Sequence, residues 1–83
     1  MRLGLPNLKR IMPKRRKFSG EQICKLLEEN GFLFVRQRGS HRIMQMATQT
    51  GTITVPVPIH KDLKPGTLAS IIRQSQLERS LFQ

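Results

Sequence analysis

Cysteine is almost absent. Cys24 stands alone in 83 residues, so no internal disulfide can form, and the chain reads as one suited to a reducing compartment. One cysteine, two histidines and five carboxylates show no spacing that would hold a metal ion, so no metal is expected and Cys24 reads as half-buried packing. Long apolar runs are also missing. Leu3, Leu5, Leu8, Ile11 and Met12 are broken up by Gly, Pro, Asn and Lys, which makes neither a signal-peptide core nor a membrane span. A soluble cytoplasmic protein with no membrane partner is the expectation. There is no G-x-S-x-G element, P-loop or dinucleotide fingerprint. A chain this short forms one small domain at most and leaves no room for a large cofactor site.

Acid is scarce as well. Five Asp and Glu face fifteen Lys and Arg, for a net charge of +10. That imbalance argues for a polyanionic partner, nucleic acid or an acidic protein. Residues 1–17 hold seven of the bases and no acid. Pro6 and Pro13 interrupt any helix there and the like charges repel, so this stretch reads as a flexible basic arm that adds sequence-independent affinity for a polyanion. Residues 18–83 are read as the single folded domain.

Within that domain the local signals are clear. In "FSGEQICKLLEENGF", Ser19 is suited to the N-cap and Gln22 to the third helical position, the pair that makes a capping box. Phe18 can staple onto Ile23. Ile23, Leu26 and Leu27 form one apolar stripe, and Gly31 suits the left-handed position after the helix. "FLFVRQ", the turn Arg38-Gly39-Ser40 and "HRIMQM" read as two antiparallel strands. Alternation puts Arg42, Met44 and Met46 on one face of the second strand and His41, Ile43 and Gln45 on the other. With the methionines as core filler, His41 looks out from the open side of the sheet. Thr48–Gly51 is a polar turn. "TITVPV" is a third strand with Ile53, Val55 and Val57 on one face, ended or held at an edge by Pro56 and Pro58. A second helix from about Pro65 has Leu68, Ile71 and Ile72 as its stripe. Ser75–Glu78 reads as another capping box, opening a short turn that carries Leu77, Leu81 and Phe82. The expected fold is α+β, in the order α-β-β-β-α, with a three-stranded antiparallel sheet packed on two helices.

The runs "LLEENGF", "VRQRGSH", "TVPVP" and "HKDLKPGTLASIIRQ", in that order from Ser19 to Leu77, resemble the HicA toxins of bacterial type II toxin–antitoxin pairs. The resemblance implies a fold like the double-stranded-RNA-binding domain. It also implies an mRNA-cleaving activity that needs no metal, and a HicB-type antitoxin as protein partner. The family's catalytic histidine lies in a G-S-H element, here Gly39-Ser40-His41. Arg42 stands where many relatives carry a second histidine.

The residues suit that chemistry. RNA is cut without metal by its own 2′-hydroxyl when a base removes the proton and cations hold the charged phosphorane. Neutral imidazole suits the base because it titrates near pH 6.5. His41 is therefore the candidate base, against the plain reading of an exposed strand residue. Gly39 lets backbone approach a phosphate, Ser40 can hydrogen-bond to one, and Arg36, Arg38 and Arg42 can steer or stabilise the charge. Around the second helix, His60, Lys61, Lys64 and Thr67 are candidate RNA contacts. His60 can bind phosphate or act as a second acid–base group, but the plain reading, a solvated loop residue, is favoured because no element holds it. Two other classes compete: a non-catalytic RNA-binding module or decayed toxin of the same fold, and a small DNA-binding protein, which the lack of a helix-turn-helix pattern disfavours.

Overall fold

The computed structural model describes residues 17–83, so the arm read at residues 1–17 falls, but for Lys17, outside the described residues. Helix α1 spans Gly20–Glu29, strands β1, β2 and β3 span Leu33–Arg38, His41–Thr48 and Gly51–Pro58, helix α2 spans Pro65–Ser75, and a 3-10 turn covers Arg79–Phe82. The sheet order is β1-β2-β3 with both pairings antiparallel. This is the expected α-β-β-β-α architecture.

Helix α1 is bounded as its sequence demands. The Ser19 hydroxyl accepts from the Gln22 amide at 3.1 Å, and the Gln22 side chain accepts from the Ser19 amide at 2.9 Å. Two otherwise orphaned N–H groups are thereby satisfied. At the other end Gly31 has φ +101. The Phe32 amide donates to the Leu27 carbonyl and the Gly31 amide to the Glu28 carbonyl, a Schellman closure. It turns Phe32 back into the core, where it is fully buried.

The core lies between the helices and one face of the sheet. Ile23, Leu27 and Phe32 meet Met44, Val55 and Val57, with Leu68 and Ile71 from α2 and Phe18 and Phe82 at the margins. Each such large apolar side chain, fully buried, contributes on the order of 1.5–3 kcal/mol. Thirteen apolar residues are buried among the described residues, and the capping and turn signals agree with that packing.

One expectation needs correction. Ser75 does not cap a new helix. It is the last residue of α2 and fully buried, and its hydroxyl donates to the Ile72 carbonyl and accepts from the Leu77 amide. Glu78 precedes the 3-10 turn with no side-chain cap bond, so the capping-box pattern at Ser75–Glu78 is coincidental. Ile43 shares the open face with His41, yet it is only 5% exposed. Its in-register neighbours are Arg36 and Pro56, and it forms an apolar floor beneath that face.

Candidate nucleic-acid interface

The site grows from the β1–β2 hairpin. Arg38 pairs with His41, so only Gly39 and Ser40 form the loop. Gly39 has φ +60 while Ser40 does not, the pattern of a type II′ turn, which keeps the strands' right-handed twist. The Gln37 side-chain amide donates to the Gly39 carbonyl at 3.2 Å. His41 is thus the first residue of a two-sided strand and is solvent-exposed.

Which face the arginines take is decided by an irregularity. The β1–β2 register shifts between Phe34 and Arg36, leaving Val35 as an extra residue. Such a bulge reverses the alternation of everything beyond it. Phe34 is opposite Met44 and so shares the helix-side face, whereas Arg36 is opposite Ile43 and Arg38 opposite His41, on the open face. Simple alternation from Phe34 would have put Arg36 and Arg38 on the helix side. The bulge assembles Arg36, Arg38 and His41, all exposed, around the Ile43 floor. On the far side of β2, Pro56 and Pro58 flank Ile43 and His41, and the Gln45 amide bonds the Thr54 hydroxyl at 3.2 Å.

Arg42 goes the other way. It is paired with Gln37 and Val57 and reaches the Cys24 thiol from the helix side. Burial pushes the Cys24 thiol above its ordinary value, and the nearby Arg42 guanidinium partly offsets that. Arg42, expected from the sequence to contact phosphate, is therefore not brought together with Arg36, Arg38 and His41.

His60 is held more firmly than its loop position suggests. The Ile59 amide donates to the Ser40 carbonyl at 2.8 Å, the Gly20 amide to the His60 carbonyl at 2.8 Å, and the Leu63 amide to the Phe18 carbonyl at 2.8 Å. The loop leaving β3 is tied at once to the hairpin turn and to the head of α1. Gly20 permits this: a Cβ there would lie 2.0 Å from the Pro58 carbonyl oxygen. His60 and Lys61 are exposed on this tethered segment. Lys64 is the exposed N-cap of α2, with Pro65 at the helix start and no side-chain cap; Thr67 is half-buried in the first turn. Sequence reasoning missed this tether, and the one available signal was a glycine in the first turn of α1, where no turn requires one.

Three further features bear on the site. β1 is an edge strand whose Leu33, Phe34 and Val35 are 72%, 50% and 42% exposed. Among the described residues, no three metal-ligating side chains come together and no helix is long and apolar enough to cross a membrane.

A protein-family model described as the HicA toxin of bacterial toxin-antitoxin matches residues 20–77, which takes in both helices and the whole sheet. Comparison with curated proteins finds no match.

Proposed function

This chain belongs to the HicA toxin family, and from that premise we propose that it is an endoribonuclease that cuts mRNA without a metal, with His41 as general base. Family membership makes it the toxin of a toxin–antitoxin pair, with an RNA target and an antitoxin partner. The finer reading gives it a HicB-type antitoxin and a cytoplasmic site of action. It also keeps residues 1–17 as a basic arm beside one domain at 18–83.

The observation that carries the reading is the convergence of Arg36, Arg38 and His41 on one open face. RNA lies across that face. The 2′-hydroxyl gives its proton to the His41 imidazole, and the 2′-oxygen attacks the adjacent phosphorus. Arg36 and Arg38 offset the charge that builds on the phosphorane oxygens. Gly39 and Ser40 bring backbone and hydroxyl donors to the same phosphate, and His60 stands beside it on the tethered loop. Lys61, Lys64 and Thr67 hold the strand further along, at the uncapped head of α2, where free N–H groups favour anions. Arg42 does not touch the RNA because it serves the helix side.

The test is cleavage of a long single-stranded RNA in EDTA by wild type and His41→Ala, with circular dichroism on both. Wild type cuts, and His41→Ala retains its fold and loses about 10²–10⁴-fold in rate. A folded His41→Ala that cuts like wild type removes His41 from the reaction. Binding without cutting by folded wild type makes the chain a non-catalytic RNA-binding module.

A further inference from the structure

A base alone leaves the reaction incomplete. When the bond between phosphorus and the 5′-oxygen breaks, that oxygen departs as an alkoxide, a poor leaving group unless it gains a proton. The acid must stand across the phosphorus from the base, because attack and departure are in line. It must also be charged when the base is neutral, and a second imidazole meets that requirement near neutral pH.

We propose that His60 is that acid, a deepening that rests on the ribonuclease reading of His41. His41 pairs with Pro58, and paired Cα atoms in antiparallel strands lie about 5 Å apart. His60 is two residues further on, at most about 7 Å of extended chain. The two Cα atoms are therefore within about 12 Å of each other. The loop cannot drift from this place, since the Ile59 amide is bonded to the Ser40 carbonyl, the residue just before His41, and the His60 carbonyl is bonded to the Gly20 amide. Both histidines are exposed. On this proposal the phosphodiester is seated over Pro58, between His41 and His60.

The step balances without a co-reactant. The 2′-hydroxyl proton passes to His41, and the bond from the 2′-oxygen to phosphorus forms. The bond from phosphorus to the 5′-oxygen breaks, and the His60 imidazolium gives its proton to that oxygen. The products are a strand ending in a 2′,3′-cyclic phosphate and a strand beginning with a 5′-hydroxyl. His41 is left protonated and His60 neutral, and exchange with water restores both. The titratable and charged groups on the elements that meet here are Lys17 and Glu21 at the head of α1, Arg38 and His41 at the hairpin, and Lys61, Asp62 and Lys64 in the loop.

The experiment compares wild type, His60→Ala and His41→Ala on two RNA oligonucleotides spanning a mapped cleavage site. One is ordinary RNA and the other carries sulfur in place of the leaving 5′-oxygen. Thiolate departs without a proton, so it bypasses the acid. His60→Ala leaves the tether intact, because the bond to Gly20 uses the backbone carbonyl. The expected result is a loss of about 10²–10⁴-fold on ordinary RNA for His60→Ala, near wild-type rates on the sulfur substrate, and loss of the alkaline fall in the pH–rate profile. His41→Ala fails on both substrates. Equal losses for His60→Ala on both substrates, or wild-type cutting of ordinary RNA, overturns the assignment while leaving His41 as base. If wild type cuts neither RNA, the ribonuclease reading fails and the acid falls with it.

Discussion

His41 and Arg42 are neighbours in the chain, yet they occupy opposite faces of β2 under different physical rules. On the helix side, Met44, Val55 and Val57 are fully buried against Ile23, Leu27 and Phe32, and Arg42 is drawn in to lie beside Cys24. On the open side, the same strand lines up His41 with Arg38 and Ile43 with Arg36. The first face is selected by volume and desolvation, the second by charge and access. A sheet with two helices on one side leaves its other face free for a ligand, and here that face carries the chain's candidate chemistry.

The contrast between the faces breaks most severely from the helix side. Leu27→Ala removes a fully buried side chain from the residue that also supplies a carbonyl for the Schellman closure. It should cost about 2–5 kcal/mol in urea unfolding, with RNA affinity of the remaining folded protein unchanged. A smaller but more pointed change is Gly20→Ala. Helix propensity alone favours alanine by about 1 kcal/mol. The new Cβ would meet the Pro58 carbonyl, so the variant should instead be destabilised by about 1–3 kcal/mol. It should also loosen the loop that carries His60, read as faster hydrogen exchange at Ile59 and Leu63.

The smallest effect sharpens the contrast. Replacing Arg36 and Arg38 with Gln should lower the salt dependence of single-stranded RNA binding by about 0.7 in log–log slope for each phosphate no longer neutralised. Arg42→Gln should leave that slope where it was. An equal effect from Arg42→Gln would mean that the two faces are not functionally distinct.

Much of this was legible in the sequence, for local reasons. Ser19, Gln22 and Gly31 declare the ends of α1 because caps act within a few residues. The alternation of His41 to Met46 declares the faces of β2 because nothing interrupts it. What was not legible depends on pairing between distant segments. Nothing in "FLFVRQR" announces a bulge at Val35, so the side on which Arg36 and Arg38 stand emerges only from the register with β2. The tether joins Gly20 to His60 and Ser40 to Ile59, and only the unexplained Gly20 hinted at it. The false capping box at Ser75 errs in the opposite direction: a local pattern was overridden because Ser75 had already been taken into the last turn of α2.

The most direct test of the central claim, that RNA is engaged on the open face, is a nuclear magnetic resonance titration of ¹⁵N-labelled His41→Ala with single-stranded RNA. Amide shifts are expected to concentrate at Arg36, Arg38, Ser40, Ile43 and Gln45 and to extend to His60 and Lys61, while Lys25, Glu28 and Glu29 on the outer surface of α1 stay still. Shifts centred on α1, with the β1–β2 hairpin unmoved, would contradict it.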